Sequence, residues 1–180
     1  MDIYYDINTI HEIKHHCLNL PSDSWIFIDL DDTIWFDGTD KLVEPDMLQF
    51  INDIQNKNIH VMGLTARLST TCDRTSKLLN ELDIKFSQIF PETYYNLSKT
   101  LHDDAIFSKG VIYTSWSDKG KIVAHILSIA EKYNILPKNI GFIDDVYRNL
   151  ASVYHVLHET NIKFLGIHYT AAKPKEHYYF

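Results

Sequence analysis

Residues Trp25 to Ile34 read WIFIDLDDTI, four apolar side chains running into Asp29, Leu30, Asp31, Asp32 and Thr33. Successive side chains on a strand point to opposite faces, so Trp25, Phe27 and Asp29 share one side and the chain leaves the sheet beyond Asp29. Ligands of an open α/β sheet bind outside the carboxyl ends of its strands. Two neighbouring carboxylates there repel each other unless a cation or a proton is shared. The segment therefore points to a magnesium-assisted reaction at the end of a buried strand.

Outward from this strand, apolar stretches and helical stripes alternate along the chain. Ile10, Ile13 and Cys17 recur at helical spacing between about Asn8 and Leu18, and Pro21 and Ser22 end that segment. A loop with Gly38 and Pro45 leads to a helix marked by Met47, Phe50, Ile51 and Ile54, then to a second buried strand in IHVMGLT from Ile59. A polar helix follows from about Thr70 to Leu82, then the short apolar run IKFSQIF, Pro91 and a Tyr-containing helix candidate. AIFSKGVIYT reads as a hairpin about Ser108, Lys109 and Gly110. Ile122, Val123, Ile126, Leu127 and Ala130 trace another helix from Lys119, and Ile140 to Ile143 form a third strong strand ending in Asp144 and Asp145. A helix from about Tyr147 and the strand KFLGIHY complete the pattern.

Strands separated by helices predict an α/β fold: a three-layer, Rossmann-like parallel sheet with helices on both faces and a small β-hairpin insertion. At 180 residues one domain spanning 1–180 is expected, with a helical N-terminal extension over 1–24 and the insertion over 84–117. Hydrophobic residues at 45% and charged residues at 23% are those of an ordinary globular protein. The net charge of -7 excludes a sequence-independent nucleic-acid binder, which needs a basic stripe. Every apolar run is strand-sized, so no membrane span is expected. The start, MDIYYDINTIHEIKHH, lacks the basic and apolar regions of a secretory signal, and Cys17 and Cys72 read as free thiols of a reducing compartment; a cytoplasmic location is the expectation, with delivery by a non-classical secretion route left open.

In a parallel sheet Asp29, Thr65, Asp144 and Asp145 converge on one edge. Thr65 alone reads equally well as a helix cap. Taken together, Asp29-Leu30-Asp31-Asp32-Thr33, the Thr65 of VMGLTAR, a Lys opening a later helix and the Asp144-Asp145 of GFIDDVYRNL resemble the haloacid dehalogenase superfamily. The resemblance covers most of the chain, and the hairpin, KG and IDD strand resemble a minimal-cap bacterial branch. It implies a magnesium-dependent phosphatase working on a phosphorylated small molecule or a phosphoprotein. Asp29 would be the nucleophile forming an aspartyl phosphate and Asp31 the acid and base. Asp29, the main-chain carbonyl of Asp31, and Asp144 would hold Mg2+, with Asp145 and Asn149 orienting its waters; which of Asp144 and Asp145 binds the ion directly stays open. Thr65 and Lys119 would hold the phosphoryl oxygens, with Lys121 the fallback and Lys109 in the hairpin a third choice. A dehalogenase of this superfamily needs neither metal nor the second Asp, so Asp31 favours phosphate chemistry.

Trp35 and Phe36 could flank an aromatic leaving group, as in phosphotyrosine, or pack against the sheet edge. Arg67 could read a second substrate charge or pair with a surface acid. His11-Glu12-Ile13-Lys14-His15 fits the HExxH of zinc proteases. It lacks a third ligand at the spacing of such enzymes and precedes the first core strand. No cysteine-phosphatase loop, nucleotide P-loop or calcium loop is present. A binding or effector module that keeps this fold without turnover is the other class of reading. The residues leave the oligomeric state open.

Overall fold

The computed structural model describes residues 3–98 and 104–173. Its eight strands form one mixed, mostly parallel sheet in the order β1-β8-β7-β2-β3-β6-β5-β4. In chain order these are β1 (Ile3–Ile7), β2 (Trp25–Ile28), β3 (His60–Thr65), β4 (Tyr94–Asn96), β5 (Ile106–Ser108), β6 (Val111–Tyr113), β7 (Asn139–Asp144) and β8 (Lys163–Tyr169). The helices are α1 (Ile10–Leu18), α2 (Met47–Gln55), α3 (Cys72–Glu81), α4 (Lys119–Lys132) and α5 (Tyr147–Leu157).

Strand parity assigns the layers. Ile26, Ile28 and Leu30 pack with Ile13 and Cys17 of α1 and with Phe50 and Ile54 of α2. Trp25 and Phe27 pack with Ile122 and Ile126 of α4 and with Leu150 and Val153 of α5. Asp29 continues the second series, and Asp144 continues that of Ile140 and Phe142 in β7. Both acids are thereby aimed toward the layer whose helix α4 begins at Lys119.

The strand order reverses at β2. The chain steps from β2 to β3 and β6 on one side, then returns to β7 and β8 on the other. Asp29 and Asp144 lie at the carboxyl ends of the two strands flanking that reversal, the place where an open sheet leaves a crevice.

Two sequence expectations need correction. The N-terminal segment is not purely helical: β1 precedes α1 and pairs in parallel with β8, from Ile3 opposite Leu165 to Ile7 opposite Tyr169. Within the insertion read over 84–117, the described strands belong to the sheet. Its hairpin strand β6 pairs in parallel with β3, β5 returns antiparallel, and β4 adds the far edge, so the region extends the sheet. The Tyr-containing helix candidate is β4, a three-residue strand. The hairpin turn itself is as read: Lys109 and Gly110 both take positive φ, 50° and 81°, the geometry of a tight two-residue connection.

Candidate active site at the sheet switch point

One ammonium joins two strand ends. Lys119 Nζ donates to Asp29 Oδ1 at 2.6 Å and to Asp144 Oδ2 at 2.7 Å, and the Lys119 side chain is only 3% exposed. Lys119 takes this position because it is the first residue of α4. Asp118 caps the helix by accepting from the Lys121 N–H, and Gly120 lets α4 close on α5: a Cβ there would lie 2.3 Å from the Ser152 carbonyl oxygen. Ser152 Oγ donates to Asp118 and accepts from the Gly120 N–H. Lys121 and Lys109 are exposed, so the lysine in the site is Lys119.

Asp144 is saturated. Its Oδ1 accepts from the Val146 N–H and Asn149 Nδ2, and its Oδ2 from Lys119 and Asn149. Asp145 sits beside it, with Lys173 Nζ 3.8 Å from its Oδ2. The main-chain carbonyl of Asp145 accepts from Lys173 and lies 3.0 Å from His168 Nε2, whose other ring nitrogen is 2.8 Å from Asp6 Oδ1.

Three acids and one buried cation leave the pocket short of positive charge. Burial first, then Asp144 and Asp145, push the Asp29 carboxyl up to about 7 against the pull of Lys119. Burial and the adjacent Asp144 push Asp145 up to about 6. Burial disfavours the Lys119 charge, yet Asp29 and Asp144 outweigh it and its pKa is raised.

Oxygens of Asp29, Asp144 and Asp145 lie within 4.8 Å of one another. An all-carboxylate set suits a hard divalent ion such as Mg2+. Asp29 Oδ2 has no protein partner among the described residues, and Asp145 has the least engaged carboxylate next to the saturated Asp144. The donors on offer therefore fit a cation held chiefly by Asp29 and Asp145, with Asp144 adjoining.

A second cluster surrounds Asp31. Arg67 grips its carboxylate with both Nε, at 2.8 Å, and Nη2, at 2.6 Å, and Trp35 Nε1 donates to it at 2.9 Å. Arg67 Nη1 donates to Thr75 Oγ1 at 3.0 Å, and the guanidinium lies 5.2 Å from the Trp35 ring centroid. The Asp31 carboxylate thus stands apart from the three acids grouped for a metal. The expectation that Trp35 flanks a substrate is corrected: Trp35 is fully buried, packed at the sheet edge as an orienting donor to Asp31. Arg67 pairs with Asp31 inside the site rather than with an acid of the surface. Thr65 ends β3 at the same edge, buried, and its hydroxyl accepts from the Arg67 N–H at 3.2 Å.

Sequence reading missed Trp116. Ser115 and Trp116 both take positive φ, 50° and 68°, although neither is glycine. The strain is held by backbone bonds from the Ser115 N–H to the Arg67 carbonyl and from the Trp116 N–H to the Ala66 carbonyl, and by Ser115 Oγ between Asp104 and Ser69. The result is a Trp side chain 77% exposed at the carboxyl edge, three residues before Lys119. An isolated Trp in TSWSD carries no sequence signal of this geometry.

The HExxH residues His11, Glu12 and His15 are exposed on α1. Among the described residues the acid triad is the group of three or more His, Cys, Asp or Glu placed to hold a metal, and none of these three belongs to it.

The fold is that of an α/β protein whose mostly parallel sheet gathers buried acids at its switch point. The chain belongs to the family described as protein of unknown function (DUF2608), whose model matches residues 34–179, a span that takes in Thr65, Lys119, Asp144 and Asp145 and begins after Asp31. It is similar to a protein named "Putative outer membrane protein" of Chlamydia trachomatis serovar D, 25% identical over 93% of this chain and 77% of that protein. A like-named protein of Chlamydia pneumoniae is 22% identical over 98% of this chain and 80% of its own length. Another, of Chlamydia muridarum, is 24% identical over 93% and 77%. These names overturn the cytoplasmic expectation, which rested on one N-terminal stretch and on two cysteines. No helix among the described residues is long and apolar enough to cross a membrane.

Proposed function

We propose that the protein is a Mg2+-dependent phosphomonoester hydrolase of the haloacid dehalogenase type, acting through an aspartyl phosphate on Asp29. The observation that carries this reading is Lys119 bridging Asp29 and Asp144 with Asp145 alongside. Mg2+ held by Asp29, Asp145 and Asp144 would neutralise the charge that a phosphate dianion brings to an acidic pocket. The rest falls to this chain. Lys119 turns from Asp29 Oδ1 to a phosphoryl oxygen, and the Asp29 oxygen not used for the ion attacks phosphorus while the bond to the leaving oxygen breaks. Asp31 gives that oxygen its proton. Water then attacks the acyl phosphate, Asp31 takes the water proton back, and inorganic phosphate leaves with Asp29 restored.

Burial of Trp35 leaves Phe36 as the exposed member of the aromatic pair, and small phosphomonoesters stand first. Hydrolysis of p-nitrophenyl phosphate should require Mg2+ and vanish in Asp29→Asn; full activity in that variant, or with all metal chelated, refutes the mechanism. A phosphotyrosine and phosphoserine peptide panel decides whether protein substrates are taken.

The second reading is a binding module of the same fold without turnover, favoured by the grip of Arg67 on Asp31. An acid held as an anion by a bidentate guanidinium cannot donate a proton until it is released. Magnesium binding by calorimetry with no hydrolysis across a broad phosphomonoester panel would support it.

A further inference from the structure

Arg67 faces two ways. Three of its five N–H donors are spent on Asp31 and Thr75, leaving two with no protein partner among the described residues. The same side chain lines a cavity of about 370 Å³ formed by Gly38, Thr39 and Asp40 and by Arg74, Lys77 and Glu81 of α3. Arg74, Lys77 and Glu81 recur at helical spacing, so one face of α3 is presented to the cavity. Arg67, Arg74 and Lys77 meet Asp40 and Glu81 there, and since Arg67 is already paired with Asp31, the cations on offer to a new anion are Arg74 and Lys77. Lys77 is engaged only loosely, 3.8 Å from Glu81 in an exposed pair. Arg74 is exposed with no ion pair among the described residues.

We propose that this cavity binds a second anionic group of the substrate, and that its occupation draws Arg67 off Asp31. The proposal rests on the phosphatase reading and names its substrate class: a phosphomonoester carrying another phosphate or carboxylate. A guanidinium with free donors pointing to a new anion divides its hydrogen bonds between two acceptors. The bidentate grip on Asp31 then loosens, and the carboxylate is free to serve the leaving oxygen. A substrate with one charge, such as p-nitrophenyl phosphate, leaves the grip in place and turns over slowly, only as often as Arg67 lets go by itself. Selection is thereby coupled to catalysis through a single side chain.

Binding is measured on Asp29→Asn, which cannot turn over, by titrating α,ω-alkanediol bisphosphates from propane to hexane and the matching alkyl monophosphates in Mg2+. The best bisphosphate should bind at least about tenfold more tightly than its monophosphate. Adding Arg74→Ala and Lys77→Ala should erase that advantage. The Trp35 indole N–H resonance, assigned by its loss in Trp35→Phe, should shift with the bisphosphate and stay in place with the monophosphate. Equal affinities, or an advantage that survives the double substitution, overturns the subsite. An advantage with an unmoved Trp35 resonance overturns the latch. Because turnover is not read, failure to hydrolyse any substrate would refute the phosphatase reading while leaving this binding result to stand or fall by itself.

Discussion

Replacing Lys119 by Met tests the centre most directly. Met keeps the length and the packing against the Phe142 ring, whose centroid is 5.5 Å from Nζ, and removes only the charge. At an effective dielectric of about 20, unit charges under 3 Å apart attract by roughly 6 kcal/mol before desolvation is counted. The net cost of stripping the cation from buried carboxylates is about 3–5 kcal/mol. That cost should depend on pH in a definite sense. Asp29 is raised from 3.8 to about 7 in the folded protein, so the native state takes up a proton across that window. At about pH 8 Asp29 and Asp144 both confront the missing charge, and the full loss appears; at about pH 5 Asp29 is protonated and roughly half of it remains. Urea unfolding of parent and variant at the two pH values, without divalent metal, gives the comparison. Millimolar Mg2+ should recover part of the stability at the higher pH. A variant as stable as the parent at high pH, or one destabilised equally at both, refutes the charge-sharing account of the site.

Asp145→Asn should flatten the pH dependence. The Asp145 carboxyl is raised from 3.8 to about 6, a stabilising protonation that is lost as pH rises through 6. Metal-free melts should show the variant about 1 kcal/mol more stable than the parent above that window, after discounting for Lys173 and solvent, and equal below it. Its calorimetric Mg2+ affinity should fall at least about tenfold. Gly120→Ala drives a Cβ into the Ser152 backbone, and α4 must shift with Lys119 on its first turn. Chemical unfolding should register a loss of about 2–3 kcal/mol, accompanied by a drop in phosphatase kcat. Trp116→Asn substitutes a residue that accepts positive φ, so melting should show a gain of up to about 1 kcal/mol. With an aryl phosphate its KM should rise roughly fivefold at constant kcat, the loss of about 1 kcal/mol of ring contact.

The three central strands β2, β3 and β7 were legible because strands buried on both faces read as unbroken apolar runs, each stopped by a polar residue at the sheet edge. Two edge strands were not. In β1, IYYDI alternates polar with apolar and stands against the start of a helical stripe, while β4 has three residues, with its two tyrosines and Asn96 outside the buried core. Their identity is set by partners far along the chain, β8 and β5. The same division holds in the site. Asp29 and Asp144 follow from strand ends, which local pattern encodes, while Lys119 and Asn149 were singled out through the family resemblance. The engagement of Asp31 by Arg67 and Trp35 is a matter of side-chain reach across 36 and 4 positions. Residue type allows that contact without specifying it. The αL backbone at Trp116 is imposed by bonds to the 66–67 loop and by Ser115, and no residue preference announces it.

The pairing of β1 with β8 has a consequence for how the molecule is made. β1 seals the outer edge of a strand far later in the chain, with Asp6 reaching His168, 162 positions on, and through it the carbonyl of Asp145. During synthesis β1 has no such partner until β8 emerges, so this edge closes only after the elements between the two strands are made. Contacts so distant in sequence slow folding. A cleavage that removes the first eight residues would expose the full hydrogen-bonding rim of β8 to other chains and unmoor the backbone behind the acid triad.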